Sequence, residues 1–188
     1  MGLPELKHPG YTLEEWESWD GRWELIHGIA YDMTPAPSLE HQRVSVRLVA
    51  LIYNALADAK REAGGGECEV IAAPVDVFLR SGVVQPDLVV VCDPAKKSPR
   101  GIEGAPDLVL EILSPGTERK DLTTKRWLYE AAGVPEYVIV YPEERRAELL
   151  QLGNNGIYQM VARVEWGSVL AILGGKLSVM IGEASQPS

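Results

Sequence analysis

Residues 105–113, APDLVLEIL, and residues 136–141, EYVIVY, are two apolar segments of strand length. Continuous apolar runs of this length are typical of strands that are buried on both faces. Between them, residues 118–132 have the apolar spacing of a helix, and Gly133 follows at a position where helices commonly end. A strand, a helix and a second strand in this order predict a parallel pair of strands joined by a crossover helix.

The segments upstream add a long helix and two further strands. Ser38 is a candidate N-cap for a helix that extends to about Ala63. Residues 69–79 and 83–92 have the composition of strands and are separated by Ser81-Gly82, which predicts an antiparallel hairpin. The expected fold class is therefore α/β with a mixed sheet, and the expected core has the order helix, three strands, helix, strand (αβββαβ).

Shorter elements are expected on both sides of this core. Thr12 and Glu15 have the spacing of a capping box, which predicts a short helix. Residues 23–33 alternate loosely around Gly28, as in a bent hairpin. Beyond residue 145, short strand-like segments are separated by turn residues. We expect one domain over residues 1–188, with a core at about 23–144 and an antiparallel β extension at about 145–180.

Composition and charge exclude some classes of protein. Of the 188 residues, 18 are Lys or Arg and 27 are Asp or Glu, so the formal net charge is −9. A chain this acidic is not a polybasic nucleic-acid coat. No apolar segment reaches the roughly 18 residues of a membrane span, and the first residues lack a signal-peptide pattern, so a cytoplasmic protein without a membrane partner is expected. Cys68 and Cys92 form no CxxC pair, and Cys92 is predicted to be a buried free thiol.

Two carboxylates lie inside apolar runs, where charge is costly. Asp87 lies in VVQPDLVVV and Glu111 lies in LVLEIL. If residue 92 lies opposite residue 106 in an antiparallel pair, Asp87 lies opposite Glu111. Directly opposed residues have Cβ atoms roughly 4.5–5.5 Å apart, and two ionised carboxylates at that distance repel each other. A divalent cation between them would remove the repulsion, since such cations prefer oxygen ligands.

Other arrangements of these acidic residues remain open at this point. The hairpin centred on Ser81-Gly82 would place Asp76 opposite Asp87, in one row with Glu111. Asp107 is the alternative to Asp87, but it lies four residues from Glu111 on the same strand, a distance of roughly 13 Å. Asp87 and Glu111 could also be core carboxylates that are hydrogen-bonded or ion-paired and have only a structural role.

The helix after Glu111 supplies cations. Asp121 and Lys125 are spaced as an ordinary exposed helix pair. The functional alternative is that the first turns of this helix direct Lys125 or Lys120 toward the acidic site, where a lysine would stabilise phosphate charge. Leu122, Trp127 and Leu128 are expected to face the core.

Further polar residues have weaker signals. His41 could be a ligand or a proton shuttle, but a surface or packing role is favoured for it. A basic contact surface could come from the loop residues Lys96, Lys97 and Arg100 together with Arg119, Lys120 and Arg126 of the helix, although ordinary solvated charge is the simpler interpretation of the loop residues.

These motifs resemble the Uma-two family of putative restriction endonucleases, in the PD-(D/E)XK nuclease superfamily. The resemblance extends from about Trp23 to Glu144. It rests on these segments in this order: WELIHG (23–28), APSLEHQRV (36–44), VQPDLVVVCDP (84–94), GAPDLVLEILSPGTERKDLTTKRWLYEAAGVPEYVIV (104–140) and PEE (142–144). It implies a restriction-endonuclease-like core, which agrees with the order of elements predicted above.

The resemblance also implies residue roles. Asp87 and Glu111 would be ligands for Mg²⁺ or Mn²⁺, and Glu24 matches the family's early acidic position. The superfamily's lysine, expected two residues after the acid, is Leu113 in this sequence. Lys125 matches a lysine position of the Uma-two family and would take over that role.

The expected function is therefore hydrolysis of nucleic-acid phosphodiester bonds by a metal-dependent endonuclease. The expected partner is nucleic acid, with DNA favoured over RNA, and a homodimer is expected by analogy with nucleases that act on duplex DNA. The alternative is a catalytically silent relative that keeps the fold as a dimeric interaction or DNA-binding module. Leu113 and the acidic charge favour the alternative, and the buried Asp87 and Glu111 favour the enzyme.

Overall fold

The structure is a computed structural model, and it describes residues 10–34, 36–63, 67–114 and 120–182. Its α-helices are α1 (Leu13–Trp16), α2 (Leu39–Ala63) and α3 (Arg126–Ala132), and a π-helical turn, Lys120–Lys125, leads directly into α3. The strands are β1 (Trp23–Ile26), β2 (Ile29–Asp32), β3 (Glu69–Ala72), β4 (Val77–Leu79), β5 (Gly82–Val84), β6 (Leu88–Val91), β7 (Lys97–Ser98), β8 (Gly101–Glu103), β9 (Leu108–Ile112), β10 (Glu136–Tyr141), β11 (Arg146–Leu152), β12 (Tyr158–Glu165), β13 (Ser168–Ile172) and β14 (Leu177–Ile181).

The central sheet has six strands in the order β12-β11-β10-β9-β6-β3. Only β9 and β10 are parallel in it, and the π-helical turn and α3 connect them. The predicted α/β class and the order helix, three strands, helix, strand are confirmed as α2, β3, β6, β9, α3 and β10. The predicted register between β6 and β9 is also confirmed, because Leu88 pairs with Leu110 and Val90 with Leu108.

The predicted hairpin around Ser81-Gly82 is confirmed for its inner part, where β4 and β5 pair antiparallel, but its predicted length and register are wrong. Its segments divide between two sheets: β3 and β6 pair in the central sheet, whereas β4 and β5 join a second sheet of order β2-β1-β5-β4-β8-β7. Val77 pairs with Val84, so Asp76 lies beyond that pair and faces Gln85 rather than Asp87. The chain leaves the central sheet after β3 and returns to it at β6, which a single continuous hairpin does not allow.

Apolar side chains cover both faces of the central sheet. On one face, Val89 and Val109 pack with Tyr137, with α3 and with the second sheet. On the other face, Leu88 and Leu110 pack against α2 and the β13–β14 hairpin. Side chains alternate along β9, so Glu111 shares the face of Val109 and points toward α3. This alternation carries a carboxylate into the apolar layer between the two sheets.

One of the side-chain predictions for this helix is wrong. Trp127 does not face the core but is 65% exposed, while Leu128 and Tyr129 are buried. The π-helical turn before α3 has more residues per turn than the uniform helix assumed from the sequence, and this changes which residues after it face the core.

Among the described residues, no helix is both long and apolar enough to cross a membrane.

The prediction of a free thiol at Cys92 is also wrong, because Cys92 forms a disulfide with Cys68. Glu69 pairs with Val91, so the two cysteines are the next opposed positions of β3 and β6. The hairpin assumed from the sequence places residue 92 opposite residue 71. The error in register therefore concealed the partner of Cys92.

Candidate active site

Glu111 is the centre of a buried polar cluster between the two sheets. It lies near the end of β9 and is only 2% exposed. Its Oε1 accepts hydrogen bonds from Lys125 Nζ at 2.8 Å and from Tyr129 OH at 2.7 Å. Both donors come from the segment that follows β9, so the crossover connection itself covers this carboxylate.

Lys125 links three acidic side chains. Besides Glu111, its Nζ lies 2.9 Å from Glu24 Oε1 and 3.6 Å from Asp121 Oδ1. Glu24 comes from β1 of the second sheet, is fully buried, and accepts a further hydrogen bond from Gln85 N at 3.0 Å. Lys125 is itself only 2% exposed, so the surface helix pair suggested by its spacing from Asp121 is wrong: the ion pair is buried.

Asp87 lies at the edge of this cluster, just before β6. Its Oδ2 accepts a hydrogen bond from Ile112 N at 2.7 Å, and His41 Nε2 lies 3.1 Å from the same oxygen. The confirmed register brings Asp87 beside the end of β9, next to Glu111. Neither carboxylate is paired with an arginine in the part of the chain that the structure describes.

His41 is the residue at this site that sequence reasoning places elsewhere. A surface or packing role is favoured for it by the sequence, but its side chain is about one-tenth exposed and contacts Asp87. One signal is present in the sequence. His41 lies three residues before Val44 and seven before Leu48, so it shares the face of α2 that packs on the sheet.

Burial and charge shift the pKa values of this cluster. Burial raises the pKa of the Glu111 carboxyl well above its usual value, and the nearby Asp121, Asp87 and Glu24 add to the increase while Lys125 opposes it. Burial alone would lower the pKa of Lys125, but the surrounding carboxylates outweigh it and raise that pKa well above the usual value. Lys125 therefore stays positively charged, and three acidic side chains share its charge.

The pKa values of two hydrogen-bond donors rise as well. Burial would lower the pKa of His41, but the hydrogen bond and charge of Asp87 produce a net increase. Burial and the neighbouring Glu111 raise the pKa of Tyr129 well above its usual value, so it stays a neutral hydrogen-bond donor.

The donor atoms fit a divalent cation that keeps several of its own waters. The structure gives hydrogen bonds to Asp87 Oδ2 and Glu111 Oε1, and among the described residues it gives none to Asp87 Oδ1 or Glu111 Oε2. In the same part of the chain, no three His, Cys, Asp or Glu residues converge as a ready set of ligands. Two carboxylates with water as the remaining ligands is an arrangement that Mg²⁺ commonly adopts.

Other acidic residues lie outside the site. Asp107 Oδ2 accepts a hydrogen bond from Cys92 N at 2.8 Å, at the opposite end of β9 from Glu111. Asp76 Oδ1 accepts one from Gln85 Nε2 at 2.8 Å, and the predicted row of Asp76, Asp87 and Glu111 is wrong. Gln85 connects the two regions, because its backbone N–H holds Glu24 while its side chain holds Asp76.

The loop cations are engaged within the chain. Lys96 Nζ donates to Ala105 O at 2.7 Å, Lys97 pairs with Glu69 at 2.8 Å, and Arg100 pairs with Glu103 at 2.8 Å. These contacts support the simpler interpretation of the loop charges as structural. Arg119 and the side chain of Lys120 lie outside the described part of the structure.

Comparison with known proteins agrees with this architecture. The model of the Uma2 family, described as a putative restriction endonuclease, matches residues 11–176. The chain belongs to the Uma2 family. An uncharacterized protein of Synechocystis sp., slr1290, is 29% identical over 178 residues, which are 88% of this chain and 90% of that protein.

A solved structure shows the same fold. It is a putative nuclease belonging to DUF820 from Anabaena variabilis, with a TM-score of 0.69 and 16% identity. The similarity covers 91% of this Uma2 chain and 95% of the Anabaena chain. At this identity the similarity is one of fold.

Proposed function

We propose that this Uma2 protein is a divalent-metal-dependent endonuclease that hydrolyses phosphodiester bonds, with DNA as its substrate. The observation that carries the proposal is the meeting of Asp87, Glu111 and Lys125 at the end of β9, where the described residues make hydrogen bonds to one oxygen of each carboxylate. The Uma2 family is described as a putative restriction endonuclease and the Anabaena protein as a putative nuclease, and both descriptions support the same chemistry.

Asp87 and Glu111 would hold Mg²⁺ or Mn²⁺. When bound, such an ion neutralises phosphate charge and makes water a better nucleophile. Ile112 N and His41 fix the orientation of the Asp87 carboxylate, and Lys125 and Tyr129 fix that of Glu111. Both carboxylates are thus oriented before any ligand arrives, which reduces the cost of binding it.

Lys125 would supply the positive charge that the superfamily takes from the strand. The residue two positions after Glu111 is Leu113, and its side chain packs in the apolar layer. Lys125 reaches the same carboxylate from the crossover helix instead, and Glu24 holds its ammonium group from the other side. A cation held between two carboxylates remains charged and is available to stabilise the phosphate.

The acidic charge of the chain limits how the substrate can bind. A net charge of −9 repels a polyanion, so contact with nucleic acid depends on local cations and on the metal. We propose a symmetric dimer, since two sites related by a two-fold axis can act on the two antiparallel strands of a duplex.

A cleavage assay on duplex and single-stranded DNA and on RNA tests the proposal. We expect wild-type cleavage of DNA with Mg²⁺ or Mn²⁺ and none with EDTA. Asp87→Asn and Glu111→Gln should lower the rate by about 10²-fold or more, as is usual when a principal electrostatic group is removed.

Two variants serve as matched controls. Asp107→Asn changes an aspartate that also accepts a backbone N–H at a strand end, and Glu136→Gln changes a buried glutamate on the neighbouring strand. Both should cleave at the wild-type rate. Equal rates for Asp87→Asn and wild type would contradict the proposal, and DNA binding without cleavage under any metal condition would favour the silent binding module.

A further inference from the structure

His41 lies in the first turn of α2, where its backbone is fixed by a capping contact. Ser38 Oγ accepts a hydrogen bond from His41 N at 3.2 Å, directly before the helix begins at Leu39. Val44 and Leu48 of the same face are 5% and 2% exposed and pack against the central sheet. The imidazole is thus carried by a helix that is anchored along its length, and its position relative to β6 and β9 is fixed.

The polar contact that the ring makes is with Asp87. Nε2 lies 3.1 Å from Asp87 Oδ2, the oxygen that also accepts the hydrogen bond from Ile112 N. Because a carboxylate oxygen accepts, Nε2 carries a proton in this contact. The helix and β9 thus each hold the same oxygen of Asp87.

The other ring nitrogen indicates that His41 is more than a packing residue. Nδ1 is buried, and within the described residues it has no hydrogen-bond partner. A buried ring nitrogen without a hydrogen-bond partner is unfavourable. An apolar side chain of similar size would fill the same space without that cost, so the polar contacts of the ring explain the histidine here: the hydrogen bond with Asp87 and the interaction with the backbone of Ile112.

We propose that His41 is a positioning residue that orients Asp87 for a divalent cation. This inference rests on the proposed function, since it assigns His41 to the same site. The hydrogen bond from Nε2 gives Asp87 Oδ2 a second fixed contact, and without it the Asp87 side chain would be held by Ile112 N alone. Residues that orient a metal ligand in this way typically change metal affinity by about 10- to 100-fold when they are replaced.

Titration of the full chain with Mn²⁺ by calorimetry tests the inference without depending on catalysis. We expect His41→Ala to weaken Mn²⁺ binding by about 10-fold or more. His41→Gln should recover part of the loss, because its Nε2 amide can donate to Asp87 from a similar position. His27→Asn is the matched control: His27 is an exposed histidine in the β1–β2 turn with φ of 50°, a conformation that Asn tolerates, and it should bind as the wild type does.

Cleavage rates measured against Mn²⁺ concentration give a second readout. For His41→Ala we expect the half-saturating Mn²⁺ concentration to rise by the same factor, with a maximal rate that stays close to the wild-type value. A structural role alone would lower the folded fraction, seen by circular dichroism, without this shift in metal dependence. If His41→Ala does not fold, His41→Leu takes its place, since leucine fills the space without a hydrogen-bond donor.

The outcomes separate this inference from the function on which it rests. Wild-type Mn²⁺ affinity in His41→Ala, or in His41→Leu where His41→Ala does not fold, together with loss of binding in Asp87→Asn, overturns the role of His41 and leaves the metal site standing. Failure of the wild type to bind Mn²⁺, or equal binding by Asp87→Asn, removes the metal site and the positioning role together.

Discussion

Glu111 and Glu136 are buried glutamates on neighbouring parallel strands, and their surroundings differ in kind. Glu136 lies at the start of β10, where Gln151 Nε2 and Gly174 N donate to Oε1 and Leu173 N donates to Oε2. Each donor is a neutral amide, and both oxygens are used. These contacts attach the β13–β14 hairpin to the central sheet, so Glu136 has the bonding of a structural carboxylate.

Glu111 has the opposite arrangement. One oxygen accepts both of its hydrogen bonds, and one of the donors is a lysine that two other carboxylates share. Burial raises the pKa of Glu111 well above its usual value, because this single cation does not offset the loss of hydration and the nearby acids. The two glutamates show that burial alone does not distinguish carboxylates in this fold. They differ in how their oxygens are used by the described residues and in the charge of their donors, and the functional role proposed for Glu111 rests on that difference.

Replacing Lys125 should produce the largest effect on stability. Lys125→Met leaves Glu24, Glu111 and Asp121 buried without their shared cation, which should lower the free energy of unfolding by about 3–5 kcal/mol. Cleavage should also be lost. Lys97→Met is the control, since Lys97 pairs with the exposed Glu69 and should contribute less than about 1 kcal/mol. Urea unfolding in EDTA measures both, and equal losses would refute the importance of the buried cluster.

Glu136→Gln should have an intermediate effect that is purely structural. A glutamine can accept with one oxygen only, and its amide would face one of the N–H groups of Leu173 and Gly174. We expect a loss of about 2 kcal/mol in unfolding free energy, because a buried donor loses its partner. Mn²⁺ affinity should not change. A variant that lost Mn²⁺ binding while remaining folded would show that the two glutamates do not differ in kind.

Glu111→Gln should have the smallest effect on stability, and that effect should depend on pH. Because the pKa of Glu111 is raised on folding, the folded chain holds a proton that the unfolded chain releases. The resulting stabilisation is complete below the ordinary glutamate pKa and is lost as the pH rises through the raised value, at a slope of at most about 1.4 kcal/mol per pH unit. Glu111→Gln in EDTA should have a flatter profile than the wild type. Parallel profiles would show that Glu111 is ionised in both states.

The predicted part of the site depended on one assumed register. Residue 92 opposite residue 106 places Asp87 beside Glu111, and the structure has that register, although residues 97–103 between β6 and β9 form β7 and β8 of the second sheet. The β3–β6 register was not predictable in the same way. Residues 73–87 leave the central sheet and form β4 and β5 in the second sheet. The alternation of apolar residues continues through this segment, so the sequence pattern does not indicate that the chain changes sheets.

The contacts missed by sequence reasoning are those made between distant elements. His41 reaches Asp87 across 46 positions and Glu24 reaches Lys125 from the second sheet. The periodicity of α2 indicates that His41 lies on the buried face, but not which strand end it meets. The pairing of Cys68 with Cys92 follows from the β3–β6 register, and the disulfide was not predicted because the predicted register was different. Local spacing in the sequence predicted helices and strands, whereas the packing of distant elements determined which side chains contact each other.

A crystal structure with Mn²⁺ and its anomalous scattering tests the central claim most directly. We expect one strong anomalous peak about 2.0–2.6 Å from both Asp87 Oδ1 and Glu111 Oε2, with water completing the coordination and His41 still bonded to Asp87 Oδ2. An absence of any peak there at saturating Mn²⁺, with Glu111 held by Lys125 and Tyr129 as described above, would contradict the assignment of these two carboxylates as a metal site.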